Sequence, residues 1–187
     1  WEALTPLHHA HAAKEIIELQ GFLPLGTSRI PQLCDLNRQL ENTAGFRMEP
    51  VAGLVTARTF MRYLGQRVFL STQYIRHHSR PFYTPEPDVV HELVGHAATL
   101  VHPGIAEVNR LLGLAAEVAN ESEMIRVGNV YWYTMEFGVV QQDSGLKAFG
   151  AGLLSSVGEL SGFEAHAELL DWDLHQMTQT GFDPTEY

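Results

Sequence analysis

The stretch Asp88-Val89-Val90-His91-Glu92-Leu93-Val94-Gly95-His96 constrains this chain more than any other. It opens on Asp88, a residue type suited to an N-cap, just ahead of an apolar run, so a helix is predicted to start there. That helix carries two histidines and a glutamate among apolar side chains. Neutral imidazole is the commonest nitrogen ligand for transition metals, so two rings on one short helix can share an ion. The spacing is particular. A zinc-protease helix places histidines at i and i+4, roughly 40° apart at about 100° per residue. Here the spacing is i and i+5, roughly 140° apart on a regular helix. The rings converge only if the helix ends or loosens between them, which Gly95 permits. The protease pattern is therefore not the one present.

A third donor is available in Tyr131-Trp132-Tyr133-Thr134-Met135-Glu136-Phe137-Gly138, an apolar, aromatic run with one carboxylate inside it. A carboxylate in such surroundings is costly unless it is paired or bound to metal. Two histidines and one carboxylate leave open coordination positions, the arrangement of non-haem Fe(II) oxygenases. On chemistry alone, a metal site and two ordinary helix histidines both stay open. His102, six residues after His96, is the one rival ligand. With His91, His96 and Glu92 as base it would make a zinc hydrolase, a reading that leaves Glu136 without a task. His8, His9 and His11 are expected to be exposed, and His77, His78, His166 and His175 to be surface or hydrogen-bonded residues.

The 187 residues suffice for one domain with a real core, and 45% of them are hydrophobic. No apolar run approaches the roughly 18 residues that span a bilayer, and a net charge of -10 argues against nucleic acid or an anionic membrane as partner. The single cysteine, Cys34, allows no internal disulfide and suits a reducing cytoplasm, the expected location. The N-terminus has neither an initiator Met nor the pattern of a signal peptide.

Helices are predicted over residues 10–20 (Ala13, Ile16 and Ile17 on one face), Ile30 to Leu40 (Leu33, Leu36, Leu40, capped by Thr27 or Ser28) and Arg58 to Leu64. A further helix follows Pro103-Gly104, with Ile105, Val108, Leu112 and Ala115 as its stripe, and a last one runs from Ala165 to Thr180. Residues 51–56 and 68–74 read as extended, 79–87 as an irregular loop, and Val130 to Val140 as either a buried helix or a strand. The balance is a mainly α single domain with a minor strand component.

Several blocks, in order and with compatible spacing, resemble the biopterin-dependent aromatic amino acid hydroxylases. Tyr83-Thr84-Pro85-Glu86-Pro87-Asp88, His91-Glu92 and Gly95-His96 are similar to that family's iron-binding signature, and Tyr131-Trp132 with Glu136-Phe137-Gly138 to the segment of its carboxylate ligand. Gly45-Phe46-Arg47, Pro50 to Leu54, Arg67-Val68-Phe69, Thr72 to His77 and Lys147 to Ser156 with Gly158-Glu159-Leu160 agree as well. The resemblance implies a largely helical catalytic domain, here 1–187 and truncated at its C-terminus. It implies a monooxygenase that hydroxylates the ring of an aromatic amino acid, phenylalanine first and tyrosine or tryptophan as alternatives, with O₂, non-haem Fe(II) and tetrahydrobiopterin.

It also implies roles. His91, His96 and Glu136 would hold the iron. Gly53, Leu54, Val55, Ala57, Phe60, Glu92 and Tyr131 would meet the pterin, with Phe60 stacking on it. Leu70 stands where some relatives have histidine, and Ala57 where serine is common. Arg76 would clamp the substrate carboxylate with its planar fork, held by Asp88, and Ser155 would donate to the same carboxylate. Tyr83, Thr84, Pro87, Trp132, Phe137 and Gly152 would complete the substrate pocket. The loop Phe182-Asp183-Pro184-Thr185 lies where relatives discriminate between substrates.

Overall fold

A computed structural model describes residues 1–26, 28–82 and 84–182. The chain runs α1 (Leu4–His11), α2 (Lys14–Gln20), α3 (Leu33–Ala44), β1 (Arg47–Val51), α4 (Ala57–Gly65) and β2 (Val68–Thr72). A helix then carries a π-helical segment, π1 (His91–Ala97), continued by α5 (Ala98–Leu100), and is followed by α6 (Pro103–Val118) and α7 (Glu121–Tyr131). A second π segment, π2 (Trp132–Glu136), extends α7. The hairpin β3 (Val139–Gln142) and β4 (Gly145–Ala148) leads to α8 (Ala151–Ser155), α9 (Val157–His166) and α10 (Leu174–Gln179). The expected mainly helical architecture is present. Among the described residues no helix is long and apolar enough to cross a membrane.

β1 and β2 pair in parallel, Arg47 with Val68 through Val51 with Thr72, and α4 is their crossover. Every residue of β2 is buried. Phe46, Met48, Phe69, Leu36, Leu40 and Leu64 fill the core around it, each at most 1% exposed. Burying a side chain of this size contributes about 1.5–3 kcal/mol, so this core fixes the strand that carries Leu70 and Thr72 toward the site.

Several boundaries differ from those predicted, each for a local reason. The helix expected over 10–20 is two helices. Ala12 and Ala13 are extended between them because Ala13 N–H donates to the Ala148 carbonyl at 2.8 Å, a long-range bond that overrides propensity. α1 itself begins at Leu4, with Pro6 tolerated in its first turn. α3 starts at Leu33 and runs on to Ala44, where Gly45 at φ 68° closes it in the left-handed conformation. Its N-cap is Gln32 and not Ser28, and Thr27 lies outside the described residues.

On α6 the buried face is Ala106, Asn109, Gly113 and Ala116, one residue on from the apolar stripe predicted, and Val108 is exposed. α4 and α6 approach so closely that a Cβ on Gly113 would lie 2.1 Å from the Gly65 nitrogen. Small residues therefore define the contact and the larger ones flank it. The helix expected from Ala165 to Thr180 is absent as such: α9 ends at His166 and α10 begins only at Leu174, capped by Asp173. Glycines at 158 and 162 masked α9 in the sequence, but the Ser156 hydroxyl caps its start.

Candidate metal centre

Both π segments carry the predicted ligands, and the spacing explains why. A π-helix bonds i to i+5, so residues five apart rise on one face. His91 and His96 bracket π1, and Glu136 ends π2. The rings converge through this widening, not through a helix end at Gly95. That glycine instead admits α8: a Cβ there would lie 2.8 Å from the Ala151 Cβ. A Cβ on Gly150 would lie 2.3 Å from the Glu136 carbonyl oxygen. One short helix, α8, thus packs against both ligand segments and sets their separation.

Nε2 of His91 and Nε2 of His96 are 2.9 Å apart. Glu136 places Oε1 3.1 Å from His96 and Oε2 3.6 Å from His91. Three donors each about 2.1 Å from one centre and at right angles to one another are ~3.0 Å apart, so these separations suit one transition-metal ion bound on a single face. The donor set of two imidazoles and one carboxylate is that of a non-haem Fe(II) site. Glu92 also brings an oxygen within 4.8 Å of the two rings, but its Oε1 already accepts from the Thr72 N–H and lies 2.7 Å from the Thr72 hydroxyl. His102, the rival ligand, is exposed, and its Nδ1 accepts from Gly104 N–H and Ile105 N–H at the start of α6.

The surroundings prepare the rings. Ser155 Oγ lies 2.8 Å from His91 Nδ1 and 2.8 Å from the Ala151 carbonyl. The hydroxyl has one proton, and the carbonyl can only accept it. Ser155 therefore accepts from Nδ1–H of His91, which leaves the Nε2 lone pair facing Glu136. The hydroxyl expected to donate to a substrate carboxylate is thus engaged with the backbone and with a ligand. Burial, more than the neighbouring charges, lowers the His91 pKa to about 4, so the ring is neutral. Burial also opposes charge on His96, but the adjacent Glu136 carboxylate outweighs it and raises the pKa. Burial likewise pushes the Glu136 carboxyl up, and the two imidazoles with the Gly152 N–H hold it below the usual range. Each member of the His96–Glu136 pair thus favours charge on the other, and a cation bound between them would compete with a proton for the His96 nitrogen.

Two cavities meet at this centre, sharing Pro87, His91, Trp132 and Glu136. The first, about 410 Å³, is lined also by Arg76, Phe82, Thr84, Pro85, Glu86, Phe137, Gly152 and Ser155. Arg76 donates from Nε and Nη2 to the two oxygens of Asp88, both at 2.8 Å, and from its own N–H at 2.9 Å. Asp88 is fully buried; that burial raises its pKa, but the bonds from Arg76 win and hold it below the usual range. Among the described residues nothing bonds to Nη1, so the outer edge of the fork is left for a second carboxylate. Asp88 also accepts from the His91 N–H at 3.1 Å, the capping role predicted for it. Trp132 and Phe137 lie 4.6 Å apart as apolar walls, and Phe182 stacks on Trp132 at 4.2 Å. Tyr83 and Asp183, Pro184 and Thr185 lie outside the described residues.

The second cavity, about 360 Å³, is mostly apolar. Gly53, Leu54, Val55, Ala57, Phe60, Leu70, Glu92 and Tyr131 line it, with Thr72 and Gly128. Phe60 is partly buried and stands edge-on to Phe69 and Tyr131 at 5.3 and 5.7 Å, so it belongs to the core and to the cavity wall at once. Glu92 is 3% exposed and is no solvated helix charge. The Tyr131 hydroxyl is buried without a partner among the described residues, and burial, with Glu136 and Glu92 nearby, keeps it protonated.

Two features escaped the sequence reading. Thr72 was one of the matching residues without a role, although a polar residue in an otherwise apolar buried strand is a signal. His8, expected to be exposed, is 2% exposed: its Nε2–H donates to the Leu154 carbonyl at 2.7 Å and its Nδ1 accepts from Gln20 at 2.9 Å.

The model of the biopterin-dependent aromatic amino acid hydroxylase family matches residues 1–187. The chain is 45% identical over 192 residues to the phenylalanine-4-hydroxylase of Caenorhabditis elegans, covering 100% of this chain and 42% of that protein. It is 45% identical over 161 residues to the tyrosine 3-monooxygenase of Rattus norvegicus, covering 84% of this chain and 32% of that one. Chromobacterium violaceum phenylalanine hydroxylase, solved with iron(III) and 7,8-dihydrobiopterin, superimposes with a TM-score of 0.89 at 28% identity, over 97% of this chain and 68% of the other. The chain spans less than half the length of the curated relatives it matches. With the whole of its length matched by the family model, the chain belongs to the biopterin-dependent aromatic amino acid hydroxylases.

Proposed function

We propose that the chain hydroxylates the ring of an aromatic amino acid, phenylalanine first, with O₂ and a reduced pterin at an Fe(II) held by His91, His96 and Glu136. The observation that carries this reading is the convergence of the three donors at the junction of two cavities, one with an arginine fork and one with an apolar, aromatic wall. Bound there, Fe(II) together with tetrahydrobiopterin supplies the activation of O₂ that the side chains cannot.

The chain's own residues bind and orient. Arg76 takes the substrate carboxylate on the edge of its fork that Asp88 does not use. Pro87, Trp132 and Phe137 enclose the ring, and Thr84 and Gly152 complete the pocket. Ser155 serves it indirectly, by fixing the tautomer of His91. The backbone of Gly53, Leu54 and Val55, with Ala57, receives the pterin against Phe60, while Glu92 and Tyr131 face its polar edge. Leu70 adds apolar contact only.

The apolar walls Trp132 and Phe137 favour phenylalanine, since a phenol hydroxyl buried against them needs a partner. Relatives named for phenylalanine and for tyrosine are equally similar in sequence, so the pocket and not the overall identity supports this choice. Product analysis with Fe(II), tetrahydrobiopterin and each of phenylalanine, tyrosine and tryptophan tests it: tyrosine formed from phenylalanine is expected. Faster turnover of tyrosine or tryptophan would reassign the substrate. No pterin-dependent hydroxylation of any of the three would remove the reading.

A further inference from the structure

We infer that Thr72 couples occupancy of the amino acid cavity to pterin affinity, through one hydroxyl proton shared between Pro87 and Glu92. Thr72 Oγ1 lies 2.8 Å from the Pro87 carbonyl oxygen and 2.7 Å from Glu92 Oε1. A hydroxyl has a single proton, and a carbonyl and a carboxylate both accept. One proton therefore serves two acceptors. The Thr72 N–H donates to the same Glu92 oxygen at 2.9 Å whichever way the hydroxyl turns, so the carboxylate stays in place while the bond alternates. Thr72 is 6% exposed, and bulk water does not replace the bond that one acceptor gives up.

The two acceptors belong to different sites. Glu92 lines the cavity assigned to the pterin and not the one that holds Arg76. Pro87 forms a wall of both, and it precedes Asp88, which clamps Arg76. A ligand that seats on Arg76 and against Pro87 shifts the peptide whose carbonyl competes for the Thr72 proton. Glu92 then gains or loses a hydrogen bond, and with it the charge density it turns toward the pterin changes. This is a two-state element that both ligands bias, which is what a coupling free energy requires. Thr72 is a positioning residue here, and the inference rests on the reading of the cavities proposed above.

The test is calorimetric and needs no turnover. Fe(II)-loaded protein, kept anaerobic, is titrated with 7,8-dihydrobiopterin in the presence and absence of saturating L-phenylalanine. In the wild-type protein the two dissociation constants should differ about 5–10-fold, the weight of one hydrogen bond at ~1.4 kcal/mol per tenfold. In Thr72→Val, which keeps the shape and loses the proton, the ratio should fall to within about twofold of one. Thr72→Ser should restore it. Should Thr72→Val fail to fold, Thr72→Ala, which likewise has no proton to donate, takes its place with the same expectation.

A purely structural role for Thr72 would lower the melting temperature and leave the ratio intact, and that result overturns the inference. So does a wild-type ratio of one with both ligands bound. Wild-type protein that binds neither ligand would instead contradict the functional reading itself, and the inference falls with it.

Discussion

His91 and Ser155 stand 64 residues apart in the chain, yet Nδ1 of the one and Oγ of the other are 2.8 Å apart. Because the serine proton goes to the Ala151 carbonyl, this bond decides which nitrogen of His91 faces the centre. Outer partners of this kind typically affect metal affinity 10–100-fold. Ser155→Ala is expected to weaken Fe(II) binding by about tenfold or more while the melting temperature of the metal-free protein falls little. Anaerobic equilibrium titration with Fe(II) checks it, and unchanged affinity would mean that the bond does not orient the ring.

Arg76→Lys keeps the charge and loses the fork. The side chain is 9% exposed and paired with a fully buried carboxylate, so the contact is desolvated. Losing a bidentate, charge-assisted contact should cost roughly 2–3 kcal/mol. KM for the amino acid should rise tens of fold, with KM for the pterin changed much less. Equal rises in both would show that the substitution disturbs the Asp88 loop as a whole rather than a carboxylate receptor.

Phe60→Leu tests the pterin wall. Aromatic contacts contribute roughly 0.5–1.5 kcal/mol beyond area burial, so pterin binding should weaken a few-fold to about tenfold. Since Phe60 also packs edge-on against Phe69 and Tyr131, the melting temperature should fall modestly too. Intact pterin affinity in folded protein would leave Phe60 with a core role alone.

His8 gives a pH signature. Burial lowers its pKa below the ordinary 6.5, with the bonds to Leu154 and Gln20 opposing but not cancelling the effect. Below pH 6.5 the unfolded chain takes up a proton that the folded chain refuses. The contribution of His8 to stability is thus full above pH 6.5 and declines as the pH falls toward the lowered folded value, by at most about 1.4 kcal/mol per pH unit for one proton. In metal-free protein, denaturant midpoints between pH 6.5 and 5.5 should fall less steeply for His8→Gln than for wild type. Parallel slopes would show that His8 is not held neutral.

The three donors were singled out through the family resemblance, because chemistry alone left a metal site and two ordinary helix histidines both open. The way they converge was legible only in part. The i,i+5 spacing suggested a helix that ends or loosens, and it loosens into a π segment; that a second π segment faces it at a separation set by α8 depends on contacts between Gly95, Gly150 and distant backbone. The stripe on α6 was misplaced for a related reason: close helix packing selects small residues such as Gly113, which apolarity alone does not mark. Thr72 and His8 were missed because a polar residue reveals its task only when its partner, tens of residues away, is known.

The central claim is that His91, His96 and Glu136 hold the iron, and metal content after anaerobic reconstitution tests it most directly. Wild-type protein and His102→Ala should each retain one Fe(II) per chain, since His102 Nδ1 is spent on the start of α6. Glu136→Ala should lose the metal and all hydroxylation of phenylalanine. Iron retained by Glu136→Ala and lost from His102→Ala would contradict the assignment.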